Sequence, residues 1–232
     1  MRTAIITGAS RGLGRALADS LVRDRWRVVV DARSGADLSA AAAGWPSAVP
    51  LAGDVTDDAH RTDLATAAGD RIDLLVLNAS ALGPTPLPPL AGYDLAALRA
   101  VLETNAVAPL GLVQLALPAL RRAGGRILAI SSDAAVEGYP GWGGYGSSKA
   151  ALDQLVRVLA AEEPALRVYA VDPGDLRTDM HFAAVPDADP AELAEPTDVV
   201  PALRRLVDAD LPSGRYTAAA LAAALTPEGA GR

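Results

Sequence analysis

The sequence predicts a doubly wound α/β fold, one parallel sheet flanked by helices in a single domain, and three observations lead there. Six apolar runs of strand length, at residues 4–7, 28–31, 48–51, 74–77, 127–130 and 168–171, are apolar throughout rather than alternating, as befits strands covered on both faces. Longer helix-like segments separate most of them, the alternation that builds β-α-β units. The first run passes directly into Thr7-Gly8-Ala9-Ser10-Arg11-Gly12-Leu13-Gly14, a glycine-rich turn that opens the first helical segment.

Helices are expected over residues 12–24, 56–69, 95–122, 145–162 and 197–208. Pro118 should end or bend the third, because proline removes an N–H donor and clashes with the preceding turn. Residues 83–89 hold four prolines and read as a surface loop. Residues 178–196, rich in Pro, Asp and Ala, follow the last long strand, where an open α/β sheet presents its ligand crevice. They read either as a mobile lid over a substrate or as an irregular connection. The alanine-rich runs 40–43 and 218–224 read as helical surface or tail.

Composition narrows the function. Half of the 232 side chains are hydrophobic, enough to pack one core. A net charge of −7 argues against a broad nucleic-acid surface, which needs clustered Lys and Arg. Without cysteine there is no disulfide framework, thiol nucleophile or Cys-ligated zinc, and the expected compartment is the reducing cytoplasm. His60 and His181 are the only histidines, which points away from a metal centre and from a Ser-His-Asp hydrolase. The start of the chain does not read as a secretory leader, and no stretch is expected to approach a membrane span.

Two motifs carry the chemistry. Glycines at 8, 12 and 14 permit a tight turn through which main-chain N–H groups and the positive helix end approach a pyrophosphate. Their spacing differs from Gly-x-Gly-x-x-Gly and lacks the Gly-Lys-Ser/Thr ending of a triphosphate loop. Tyr145 and Lys149, four residues apart, stack a phenol and an ammonium on one helix face. A positive charge there stabilises the phenolate and makes a usable proton donor.

Together Thr7-Gly8-x-x-x-Gly12-x-Gly14 and Tyr145-x-x-x-Lys149 resemble the short-chain dehydrogenase/reductase family, single-domain Rossmann enzymes, over almost the whole chain. The resemblance implies hydride transfer between a nicotinamide and a carbonyl or alcohol, with the protein managing the proton. It assigns Tyr145 as acid/base and Ser132, thirteen residues before it, as hydrogen-bond donor to the carbonyl oxygen. It further implies that Lys149 lowers the Tyr145 pKa and holds the nicotinamide ribose, and that Asn105 anchors a water in the proton relay. Gly8, Ser10, Arg11, Gly12, Leu13 and Gly14 would hold the pyrophosphate side. Asp54-Val55 resembles the adenine contact, Asn78-Ala79 the motif after the fourth strand, and Pro173-Gly174 with Thr178 the loop over the nicotinamide. Alone, Ser132 reads as a turn cap, Asn105 as a polar residue at a helix bend and Asp54 as a helix N-terminal acid. The fixed distances to Tyr145 and Lys149 favour the catalytic reading of the first two.

The cofactor is expected to be NADP(H) rather than NAD(H). Asp31 nearly meets the rule for an acid that accepts from an unphosphorylated ribose, but in the family register Arg33 takes the place of the 2′-phosphate-binding arginine. Arg11 adds a second positive charge, and Asp31 is expected to orient Arg33. Ser80 stands where the family has glycine and could alter the backbone near the cofactor. The substrate is a small carbonyl compound or alcohol, with Trp142, Met180, His181 and Phe182 as candidate pocket residues. Residues 214–217 resemble a last strand. The family likeness suggests a homodimer through helices 95–120 and 145–162, or a homotetramer, although the segment from 218 onward departs from the usual ending. A non-catalytic NADP-binding regulator is the alternative, disfavoured by the joint presence of Ser132, Tyr145 and Lys149.

Overall fold

A computed structural model describes residues 1–224; the remainder of the C-terminal segment lies outside the described residues. Among the described residues seven strands, β1 (Thr3–Ile6), β2 (Arg27–Ala32), β3 (Ala48–Ala52), β4 (Leu74–Leu77), β5 (Arg126–Ile130), β6 (Arg167–Asp172) and β7 (Gly214–Thr217), form one sheet. Every pair is parallel, in the order β3-β2-β1-β4-β5-β6-β7. The order reverses between β1 and β4, and the crevice outside their carboxyl ends is where such sheets bind ligands.

Alternate side chains of each strand feed two cores, as the two-residue strand period requires. Ile6, Val28, Val30 and Val76 pack with Leu17 and Leu21 of α1 (Gly12–Arg23) and Leu203 and Leu206 of α8 (Pro196–Asp208). Ile5, Val29 and Leu75 pack on the other face with Leu64 of α3 (Asp58–Ala68), Leu112 and Leu120 of α5 (Ala108–Ala123) and Leu152 and Val156 of α6 (Gly143–Glu162). Most of these side chains are fully buried, each contributing about 1.5–3 kcal/mol of transfer free energy.

Several expectations change. The helix expected over 95–122 is interrupted: α4 (Leu95–Leu102) passes through a π-helical turn, Glu103–Val107, into α5. The interruption lies at Asn105, and Pro118 does not end α5, which runs on to Ala123. This joined helix, Leu95–Ala123, is long and apolar enough to cross a membrane, contrary to the sequence expectation. Its apolar residues Leu112, Val113, Ala116 and Leu120 are spent against the sheet. The first alanine run belongs to α2 (Gly35–Ala42), nucleated by Ser34, whose side chain accepts from Asp37 N–H at 3.2 Å. The last begins as α9 (Ala218–Ala223). The 178–196 segment is not wholly irregular, since α7 (Asp179–Ala184) forms there behind the cap Thr178.

Candidate active site

The glycine turn is shaped by side chains from two strands. Thr7, at the end of β1, accepts through Oγ1 from the N–H groups of Asn78 and Ala79, both at 3.0 Å, just past β4. Asn78 Nδ2 returns bonds to the carbonyls of Thr7 (2.8 Å) and Gly8 (3.0 Å). Gly8 itself adopts φ 69°, a conformation that favours glycine. Gly14 is a packing glycine rather than a wall of the crevice: a Cβ there would lie 2.5 Å from both Gly8 O and Asn78 Nδ2. No side chain caps the start of α1, so its first N–H groups are available to an anion.

From this turn a cleft of about 1870 Å³ runs along the strand ends. It is lined by Gly8, Ser10, Arg11, Gly12, Leu13, Arg33, Asp54, Val55, Asn78, Ala79, Ser132, Tyr145, Lys149, Pro173, Gly174 and Thr178. All but two of the site residues expected from sequence therefore face one space. The two behind its wall are Gly14 and Asn105.

At one end of the cleft, Tyr145 and Lys149 project from the first turns of α6 and Ser132 follows β5. Gly146 brings α6 close, since a Cβ there would meet Ala134 O at 2.6 Å. Ser132 fills the cap role as well: its Oγ accepts from Ala134 N–H at 3.2 Å and donates to Asp133 Oδ1 at 2.9 Å. Trp142 packs edge-on against Tyr145, ring centroids 5.8 Å apart.

The expected depression of the Tyr145 pKa is not met in this geometry. Lys149 Nζ donates to Ile130 O at 2.8 Å and lies 5.5 Å from the centre of the Tyr145 ring, over its face rather than at its hydroxyl. Burial pushes the phenol up to about 12, with the hydroxyls of Ser80 and Ser132 pulling it back. Burial also pushes Lys149 down to about 8, opposed by the Asp153 carboxylate. The sign for stability follows: between pH of about 8 and 10.5 the unfolded chain holds a proton that the folded Lys149 has lost, so folding gains as pH rises through that window. Urea unfolding should show the stability of the wild type rising relative to Lys149→Met across that range; parallel profiles would refute the assignment.

Asn105, 1% exposed in the π turn, uses all four of its side-chain positions. Its Oδ1 accepts from Ala81 N–H (2.7 Å) and Ser80 Oγ (3.2 Å), and its Nδ2 donates to Ala81 O (2.8 Å) and Ser148 Oγ (2.9 Å). The side-chain amide has no position left for a water, and it joins the loop after β4 to α6.

At the opposite end Arg33 is exposed beyond β2. Asp31 does not orient it: that carboxylate is 1% exposed and turned inward, accepting from Gly8 N–H at 2.7 Å and meeting His60 Nε2 at 3.1 Å. Arg33 instead lies near Asp54, whose carboxyl is held low first by the Thr56 N–H, with Arg33 adding to the effect. Arg11 forms an exposed ion pair with Asp179 of α7 at 2.6 Å.

The segment over the cleft is closed at its neck by two main-chain bonds, Arg177 N–H to Ala194 O (2.9 Å) and Ala194 N–H to Asp175 O (3.2 Å). Trp142, Met180 and His181 line the cleft; Phe182 does not and leaves the list of pocket candidates. Sequence reasoning missed Ser80 as a hydroxyl beside Tyr145, and missed Arg215. From β7 its guanidinium donates to Asp153 (3.0 Å) and to Ser132 O (2.9 Å), tying the serine's main chain to α6. Nothing in the spacing of residues 214–217 signals that reach.

A dinucleotide-type turn and a Ser-Tyr-Lys cluster at the two ends of one cleft define a class, the oxidoreductases that act on alcohol or carbonyl groups. The family described as short chain dehydrogenase matches residues 2–189. An uncharacterized oxidoreductase of Saccharomyces cerevisiae is 34% identical over 227 residues, 94% of this chain and 89% of its own. L-xylulose reductase of Bos taurus is 33% identical over 198 residues, covering 82% of this chain and 78% of its own. The solved structure of a short chain dehydrogenase from Shigella flexneri complexed with NADP superposes with a TM-score of 0.86 at 28% identity, covering 94% of this chain and 97% of that one. This chain belongs to the short-chain dehydrogenase family.

Proposed function

We propose that the protein is an NADP(H)-dependent oxidoreductase that interconverts a carbonyl and an alcohol on a small organic substrate, with Tyr145 as acid/base. The observation that carries this reading is the meeting of Ser132, Tyr145 and Lys149 in the cleft that begins at the glycine turn. The residues fit a dinucleotide: an uncapped helix start and the close-packed Gly8–Gly14 pair leave a main-chain cradle for a pyrophosphate. Asn78, Ala79, Pro173, Gly174 and Thr178 would border the nicotinamide, and Asp54 and Val55 the adenine. When bound, the cofactor supplies or takes the hydride.

The chain's own groups manage the oxygen and the proton. In reduction Tyr145 gives its hydroxyl proton to the substrate oxygen while the Ser132 hydroxyl turns from Asp133 to donate to it. Lys149, buried and with a pKa near 8, would leave Ile130 O to hold the nicotinamide ribose and return the proton towards Tyr145. Trp142 closes the apolar side of the substrate space. The NADP bound to the Shigella flexneri relative and the name of the bovine reductase support the cofactor and the carbonyl chemistry.

Arg33, exposed at the adenosine end, is the residue on which the choice of cofactor turns. Fluorescence titration should give tighter binding of NADPH than NADH, and Arg33→Ala should erase about tenfold or more of that preference, the scale of a lost charge-assisted bond. Tighter NADH binding by the wild type would overturn the assignment. We also propose a homo-oligomer through α4, α5 and α6, where Val107, Leu115 and Val158 stand exposed.

A further inference from the structure

Beneath the glycine turn lies a buried pair that the proton chemistry does not use. Asp31 Oδ1 accepts from the Gly8 N–H at 2.7 Å, and Oδ2 meets His60 Nε2 at 3.1 Å. His60 sits in the first turn of α3 and is 8% exposed. It is wedged against Gly53, where even a Cβ would lie 2.2 Å from the imidazole Nδ1. Gly53 N–H in turn donates to Ala32 O at 3.1 Å, so the imidazole is braced by the turn that follows β3.

A buried carboxylate bonded to the very residue that begins a phosphate-binding turn is an electrostatic liability, because it repels the phosphates where screening is weak. An imidazolium beside it cancels that charge while keeping the carboxylate in place to hold Gly8. The carboxylates around His60 are Asp31 from β2, Asp54 from the turn after β3, Asp57 at the cap of α3 and Asp63 within it, and the one cation beside it in sequence, Arg61, is turned to Val55 O and Asp58. The bond to Asp31 is the largest cause holding the imidazole pKa above its usual value, against the opposing effect of burial.

We propose that His60 is a positioning residue for the cofactor: it fixes and neutralises Asp31 under Gly8, and the affinity for a phosphate-bearing dinucleotide follows its protonation. The inference rests on the dinucleotide-binding reading of the cleft. It also gives Asp31, the residue that mimics a ribose-binding acid in the sequence, a structural task at the base of the glycine turn.

The test titrates NADPH and NADH by fluorescence into the wild type, His60→Gln and His60→Leu from about pH 6.5 to about pH 9, with NADH, which has no phosphate monoester, controlling for titration of the 2′-phosphate of NADPH. Glutamine keeps an N–H donor for Asp31 and carries no charge. The His60→Gln to wild-type ratio of Kd should be about threefold or more at the low end and approach one at the high end, as the wild-type imidazole loses its proton. His60→Leu should bind about tenfold more weakly at every pH, having lost a bond to a charged group. In the free protein the stabilisation from His60, present below about pH 6.5, should fade as pH rises through the raised pKa, and His60→Gln should lack that slope. A constant ratio between wild type and His60→Gln, or wild-type affinity in His60→Leu, overturns the proposal. NADH carries the same pyrophosphate. A wild type preferring NADH would therefore refute the NADP assignment, while the pH-dependent ratio, read with NADH, would still decide the role of His60.

Discussion

Tyr145→Phe is expected to lower turnover by about 10²–10⁴ while leaving NADPH affinity close to wild type, the contribution typical of a placed general acid. The substitution keeps the ring and its edge contact with Trp142, removing only the hydroxyl that Ser80 and Ser132 address. The two pKa values also set a profile. With the phenol pushed up to about 12 and Lys149 down to about 8, it is the lysine that loses its proton first. In the reductive direction the alkaline limb should therefore fall near pH 8 rather than near 12. Steady-state assays of a ketone panel with NADPH, run beside direct cofactor titration, check both parts. Near-normal turnover in Tyr145→Phe would remove the residue from the mechanism.

Asn105→Ala is expected to be a stability variant first and an activity variant second. Truncation strands the Ala81 N–H and C=O and takes partners from the Ser80 and Ser148 hydroxyls, at about 1–3 kcal/mol for each group left unsatisfied in the interior. A net cost of about 3 kcal/mol would lower Tm by about 6–12 °C in a chain of this size. Calorimetry separates this from a relay role, under which melting would be unchanged and only turnover would fall.

Both results bear on what the sequence could disclose. Strands buried on both faces announce themselves as unbroken apolar runs, which is why β1, β2, β4, β5 and β6 were legible to within a residue or two at each end, whereas β3, an edge strand only partly buried, was marked by its apolar composition alone. The cleft residues Ser132, Tyr145 and Lys149 were legible as a group because the proposed chemistry demands fixed spacings along one helix or one turn. Contacts that depend on the fold bringing distant residues together left no such trace: Asp31 with Gly8 and His60, Arg215 with Ser132, and Ser80 with Asn105. Asp31 and Arg33 sit two residues apart on one strand end, yet one turns under the glycine turn and the other out to solvent. The π turn at Asn105 was legible only as a polar residue at a helix bend, and the stronger break signal, Pro118, pointed to the wrong place, because a bulge held by side-chain amide bonds leaves no fixed residue pattern.

The neck that joins Arg177 and Asp175 to Ala194 sets the covering segment off as a unit from the rest of the cleft. Its main-chain bonds close the covering segment upon itself independently of the side chains between, so residues within it can be exchanged as a cassette. Doubling the length of such a flexible loop costs only about 0.6 kcal/mol in closure entropy. Changes of length or side chain inside the segment can thus be absorbed at the neck while Ser132, Tyr145 and Lys149 stay anchored after β5 and in α6.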